Sequence, residues 1–461
     1  MKEMAGKTRF GGAGEAMNIT EMTLTQLLQP EGFACSCGKR HCALPLRYLD
    51  ISDGALERLP EMLRMAVQGG VIFLVADDRT EAIAGKRVAG LLERHRFEYR
   101  HICLHGTPKV LPNEEYLEML CSTCPENVSF VLGVGSGVIN DLCKMLAVKR
   151  GVPCGIVATA PSMDGYASNS SAMELQGIKT TVYTTCPTLI CCDTQILRQA
   201  PEEMLCAGFG DMAAKLISIT DWKIAHMVTG EYYCEQIAAL MQRAYRKVVE
   251  NAQGIENREE PAVRCMTEGL VLSGIAMSFA GISRPASGME HTISHLLEMF
   301  ALARGAQPAA HGLQVGFGVR EALRLYRRAY EDTPGMERCR QAAEGFSEEK
   351  WEAEMRAVFG AQAEPLIVQA VREGRNLPQT RLRRAENAID HWPQIRRELG
   401  LALAQAAELE AALDRMRIPK LDEYGRLGCT RQEAENALRY SKDLRARYIF
   451  TSLCADIGLR I

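Results

Sequence analysis

The feature that most limits what this chain can fold into is a change of pattern near Pro201. Before it, short continuous apolar runs alternate with amphipathic stretches. After it, long amphipathic stretches follow one another to Ile461 with almost no strand signal. Runs that are apolar on both faces suit parallel strands buried beneath helices, whereas a 3.6-residue period suits helices. The expected organisation is a loose N-terminal tail over residues 1–20, an α/β domain over 21–200 and an all-α domain over 201–461. A length of 461 residues accommodates two such cores.

Composition removes several function classes. A formal net charge of −3 offers no basic field for nucleic acid, and 6% aromatics leaves few platforms for stacked bases. No run of about 18 apolar residues occurs, so no membrane span is expected. The 17 cysteines are scattered through apolar stretches such as Leu189–Asp193, and no secretory segment is evident; a reducing cytoplasm is the expected setting. One group stands apart, Cys35-Ser-Cys37-Gly-Lys-Arg-His41-Cys42. Its spacing lacks the paired C-x-x-C of common zinc knuckles and no second pair follows nearby. It reads as a reduced hairpin or strand edge, with structural zinc as the alternative.

Within the first domain, Val71–Ala76 is a buried-strand run ending in Asp77-Asp78, followed by a helical pattern over 80–95. An acidic residue there either accepts from a ribose hydroxyl or caps the next helix, and both readings stand. A second strand covers 100–104, and a helix 113–124. Ser129–Gly135, Ser136, Gly137 and the following Val138-Ile139-Asn140-Asp141 then read as strand, glycine-rich turn and helix. Such a turn brings backbone N–H groups and a helix N-terminus up to an anion such as a pyrophosphate. The third glycine of Gly-x-Gly-x-x-Gly is missing. The strand Cys154–Thr159 leads into Ala160–Ser171, a loop dense in hydroxyls at a strand's carboxyl end, where open α/β sheets bind ligands. A hairpin arm over 177–184 and a buried strand over 188–193 complete the domain.

Beyond Pro201, helices are expected at about 202–226, 231–253, 260–280, 287–303 and 311–330. Asp211 is expected to open a helix after Ala207-Gly-Phe-Gly210. His291 and His295, at i and i+4, share a helix face, and His311-Gly312 opens another helix. One carboxylate and two imidazoles would leave room for substrate on zinc, iron(II) or nickel. Any i, i+4 coincidence also produces such a histidine pair, and the His-Glu-x-x-His protease motif is absent.

The segments Gly135–Asp141, Ala158–Ser168, Ala207–Asp211, Ser287–His295 and His311–Val315 resemble the sn-glycerol-1-phosphate dehydrogenase family, in its bacterial AraM-like branch. That family lies within the iron-type alcohol dehydrogenase and dehydroquinate synthase superfamily. The resemblance implies a two-domain dehydroquinate synthase-like fold, with a Rossmann-like α/β domain, an all-helical domain and a cleft between them. It implies metal ligation by Asp211, His291 and His311, and substrate contact by Asp164, His295 and Asp211, the first two catalytic. NAD(H) or NADP(H) would lie on Asp77 or its neighbour Asp78, on Gly137, Val138, Ile139, Asn140 and Asp141, on Thr159, Ala160, Pro161 and Ser162, and on Ser168. The acidic strand end leans toward NAD(H). Val138 replaces a commoner threonine, and the N-terminal tail is extra. The implied activity is reversible reduction of dihydroxyacetone phosphate, a small phosphorylated substrate, by a cytoplasmic homodimer. A polyol dehydrogenase and a dehydroquinate synthase-type lyase are the alternatives on this scaffold.

Overall fold

The computed structural model describes residues 18–28, 32–41, 44–107, 109–175 and 178–461; most of the expected N-terminal tail, and Cys42, lie outside them. Six strands form a parallel sheet in the order β3-β10-β7-β6-β4-β5. They are β3 (Tyr48–Ser52), β4 (Val71–Asp77), β5 (Tyr99–Leu104), β6 (Val128–Gly135), β7 (Cys154–Ala158) and β10 (Leu189–Asp193). Alternate side chains of each strand enter different cores, which is why these runs are apolar throughout. Ile72, Leu74, Phe130, Leu132 and Val157 pack under helices α1 (Ala55–Ala66) and α2 (Lys86–Arg94). Phe73, Val75, Val131 and Ile156 pack on the other side, under α3 (Glu114–Thr123) and α4 (Gly137–Arg150). The chain steps from β4 outward to β5 and then returns to place β6 on the opposite side of β4. That reversal opens a crevice at the carboxyl ends of β4 and β6, the place where such sheets take ligands.

Two small antiparallel ribbons complete the strands: β1 (Phe33–Ala34) with β2 (Arg40–His41), and β8 (Ser170–Leu175) with β9 (Ile178–Tyr183). Five long helices follow: α5 (Glu202–Thr229), α6 (Glu235–Glu250), α7 (Glu260–Ala280), α8 (Met289–Ala303) and α9 (His311–Glu331). Of these, α5 is the axis: from Leu205 to Trp222 every residue is buried. Among the described residues α7 alone is long and apolar enough to cross a membrane, and 78% of its apolar window is buried inside the fold, as for a core helix. The first ribbon sits on the helices: Phe33 packs edge-on against Phe279 of α7, and Ser36 Oγ in its turn accepts from Gln236 Nε2 of α6 at 3.1 Å.

Candidate active site and metal centre

Asp211 does not open a helix; it lies in the third turn of α5. The Gly-Phe-Gly before it lies inside the helix, and its purpose there is close packing. A methyl group on Gly208 would come within 1.8 Å of the Pro161 carbonyl oxygen, and one on Gly210 within 2.0 Å of that of Gly312. Gly312 reciprocates, with the Ala207 carbonyl 1.8 Å from its own missing Cβ. Backbone therefore meets backbone at three points, drawing the loop after β7 and the first turn of α9 onto α5.

That packing gathers the donors. Oδ1 of Asp211 lies 3.3 Å from Nε2 of His291 and 4.0 Å from Nε2 of His311. One ligand atom from each of the three lies within 4.8 Å of the others. Both imidazoles are oriented from behind. Nδ1–H of His291 donates to Oε1 of the fully buried Glu290 at 2.8 Å, and Nδ1 of His311 lies 3.2 Å from the Ser294 hydroxyl. Each ring thus turns Nε2 toward Asp211, the arrangement that prepares histidine for a metal. Asp211 Oδ1 is buried and faces the Nε2 atoms of His291 and His311, a convergence that a cation held between these groups would satisfy. Burial opposes its charge, but the His291 hydrogen bond and the charges of His311 and Lys215 hold Asp211 well below the ordinary carboxylate range. For His291, burial works the other way and is outweighed by Asp211 and Glu290, which lift it to about 9. Two nitrogens and one oxygen suit zinc or iron(II), with nickel also compatible.

Asp164 reaches the same centre from the sheet side. Its N–H donates to Asp211 Oδ2 at 3.1 Å, and its Oδ2 accepts from Lys215 Nζ at 2.5 Å and from the Ser273 hydroxyl at 2.8 Å. Lys215 and Ser273, like Glu290 and Ser294, were not picked out from the sequence. The signal for Lys215 was its place one turn after Asp211, but lysine at i+4 from aspartate ordinarily marks a solvated helix face. His295 stacks on His311 with ring centroids 5.7 Å apart. It lines a cavity of about 350 Å³ together with Thr180, Tyr183, Ser283, Arg445 and Arg447. The two arginines lay in a stretch with no motif to announce them. Arg447 donates to the Ser287 carbonyl at 2.8 Å and to the hydroxyls of Ser287 and Ser283. Burial and the neighbouring Arg284 and Arg445 lower its pKa to about 9.

The residues expected to hold nucleotide lie around the crevice. Asp77 ends β4, and its Oδ1 caps the next turn by accepting from Arg79 N–H (3.0 Å) and Thr80 N–H (2.8 Å). Gly137, Val138 and Ile139 form the first turn of α4. Asn140 and Lys144 of that helix bind the Gly165 carbonyl, and Lys144 also donates to Ser168 Oγ at 3.2 Å. Asp141 accepts from Ala172 N–H. Thr159, Ala160, Pro161 and Ser162 follow β7, with Thr159 N–H tied to Gly135. Ser168 is buried, and its hydroxyl donates to the carbonyls of Gly165 and Ser170.

A parallel sheet followed by a helical half, which carries Asp211, His291 and His311, is an architecture shared with alcohol dehydrogenases of known structure. Residues 50–201 match the iron-containing alcohol dehydrogenase family. The sulfoacetaldehyde reductase of Bifidobacterium kashiwanohense, solved with NAD+, shares the fold at TM-score 0.56 and 12% identity, covering 90% of this chain and 97% of its own. The alcohol dehydrogenase of Oenococcus oeni does so at TM-score 0.53 and 14% identity, covering 85% and 92%. Among sequence relatives, the glycerol-1-phosphate dehydrogenase (NAD(P)+) of Halalkalibacterium halodurans is 35% identical over 297 residues, 64% of this chain and 74% of that one. The Bacillus licheniformis enzyme of the same name is 35% identical over 314 residues, 67% and 77% of the two chains. The chain belongs to the glycerol-1-phosphate dehydrogenase family.

Proposed function

We propose that the protein reversibly reduces dihydroxyacetone phosphate to sn-glycerol 1-phosphate, using NADH or NADPH and one divalent metal. The observation that carries this reading is the convergence of Asp211, His291 and His311 beside a cavity that holds His295 and two arginines. A cation held by those three residues would supply Lewis acidity at the substrate's carbonyl oxygen. Arg445 and Arg447 would take the phosphate, whose charge favours guanidinium forks. Asp164, with Oδ2 engaged by Lys215 and Ser273, would orient a substrate hydroxyl through Oδ1. Hydride would pass from the nicotinamide to the carbonyl carbon while the carbonyl oxygen takes a proton from His295.

The nucleotide would lie over the crevice on Asp77, on Gly137 to Asp141, on Thr159 to Ser162, and near Ser168. Because Ile139 and Asn140 are buried, contact at that turn would run through backbone N–H groups. The described cysteines are free, which supports a reducing cytoplasm as its location. A homodimer is the expected assembly, to be checked by light scattering.

The test follows NADH oxidation with dihydroxyacetone phosphate for the wild type, for His311→Ala and for chelator-treated protein. The wild type should turn over, and both others should lose activity by orders of magnitude. Arg445→Met should raise KM for the phosphate ester more than for dihydroxyacetone. A wild type that consumes only unphosphorylated dihydroxyacetone, or that shows no net change in NADH while converting a sugar-acid phosphate, overturns the reading.

A further inference from the structure

A second group of metal-binding side chains lies on the β1–β2 ribbon, and the reaction above does not use it. Cys35 and Cys37 occupy the turn between the strands, His41 ends β2, and Cys234 immediately precedes α6. Nearly two hundred residues of chain separate Cys234 from the others, which is why the local spacing concealed a fourth ligand (|i−j| = 193 from His41). One ligand atom from each of the four lies within 4.8 Å of the rest.

Three of the six edges of this cluster lie close to those of a coordination tetrahedron, and all six are within 4.8 Å. The sulfurs of Cys35 and Cys234 are 3.6 Å apart, and Nε2 of His41 is 3.6 Å from Cys37 Sγ and 3.7 Å from Cys234 Sγ. Zinc at about 2.3 Å from sulfur and about 2.0 Å from imidazole nitrogen sets S···S edges of about 3.8 Å and S···N edges of about 3.5 Å.

The surroundings prepare the ligands. Nδ1 of His41 lies 2.8 Å from the Phe279 carbonyl; a carbonyl only accepts, so Nδ1 carries the proton and Nε2 turns its lone pair to the sulfurs. The ring is fixed further by Phe33, with centroids 4.9 Å apart. Gly38, at φ +81°, lets the chain reverse between Cys37 and Lys39, and Cys35 N–H closes the turn on the Lys39 carbonyl. Cys234 sits at the N-terminus of the 16-residue α6, where the helix dipole favours a thiolate. Three thiolates and zinc leave one negative charge, and Lys39 stands nearby with Nζ 3.4 Å from the ring centroid of Tyr232, whose hydroxyl is 3.5 Å from Cys37 Sγ.

We propose that Cys35, Cys37, His41 and Cys234 form a structural zinc site that clamps the β1–β2 ribbon to the turn between α5 and α6. The soft donor set selects zinc over harder cations, and four protein ligands close the coordination to substrate. Strands of two residues cannot hold a hairpin by themselves, so the metal supplies what the ribbon lacks.

The test uses full-length protein and zinc or cobalt(II) alone as probe. His311→Ala, which disables the Asp211 site, should still hold about one zinc per chain, with zinc–sulfur distances of about 2.3 Å by X-ray absorption. Cobalt(II) replacing it should give intense thiolate-to-metal charge-transfer absorption, which an Asp-His-His site cannot produce. Cys37→Ser and Cys234→Ser should each abolish that band, while Cys265→Ser, away from the cluster, should keep it. The proposal is overturned by a wild type without the band, by a band that survives both serine variants, or by a Cys35–Cys234 disulfide in place of zinc. Should a serine variant fail to fold, the wild-type spectrum and the His311→Ala zinc content still decide.

Discussion

Each imidazole of the Asp211 set is turned by a partner of its own, and those partners set how tightly a metal is held. Glu290→Gln keeps the shape but removes the charge that Nδ1 of His291 meets. Metal affinity should fall about 10- to 100-fold with the fold intact, read by competition with a chromogenic chelator. An unchanged affinity would mean that Glu290 does not orient the ligand. Behind Glu290 lies Asp221, which accepts from Met289 N–H at 2.8 Å and from the Tyr326 hydroxyl at 3.2 Å. Burial, and then the charge of Glu290, raise Asp221 to about 7. The fold therefore favours the protonated form; its contribution is complete below the ordinary value of 3.8 and is lost as pH rises toward about 7. Asp221→Asn carries no such titration. The stability difference between variant and wild type should move in the variant's favour across that interval in denaturant unfolding, and a constant difference would refute the assignment.

At the scale of elements, close packing at glycines joins α5, α9 and the loop after β7. Gly312→Ala should cost at least about 1–3 kcal/mol, because the obstacle is a backbone carbonyl that cannot rotate away. It should also weaken metal binding, since His311 is the preceding residue. Gly90, inside α2 with open space at its Cβ position, gives the opposite sign: Gly90→Ala should stabilise by about 0.5–1 kcal/mol. Thermal unfolding of the two variants checks both, and equal effects would sink the packing account. The same contrast shows what sequence can convey. The strand Val71–Asp77 and the helix Glu260–Ala280 were legible because burial leaves a local mark, a continuous apolar run in the strand and a long, largely apolar stretch in the helix. The role of Gly208 and Gly210 was not legible, because their reason lies in Pro161 and Gly312, distant in the chain. Lys215, Arg447 and Cys234 were missed likewise: their meaning comes from partners that only the folded chain brings near. The histidines were legible as candidates, and their division into roles came from the family resemblance.

At the scale of the whole molecule, Asp164, on the sheet side, touches both Asp211 and Lys215 of α5. Asp164 belongs to the loop proposed to carry nucleotide, and Asp211 to the set proposed to carry metal. Anything that steadies that loop also steadies the aspartate, so the two ligands should bind cooperatively. A coupling of about 1–3 kcal/mol, or roughly 5- to 150-fold in either affinity, is the usual size of such effects. Calorimetric titration of NADH with and without bound metal measures it directly, and equal affinities would show the two sites to be independent.

Reciprocity gives that one backbone hydrogen bond from Asp164 to Asp211 a meaning in the economy of the cell. A chain that has not acquired its metal would hold nucleotide poorly, leaving the reduced coenzyme to enzymes able to spend it. The idle protein would announce its state by its low affinity, and loading with metal would admit it to the pool.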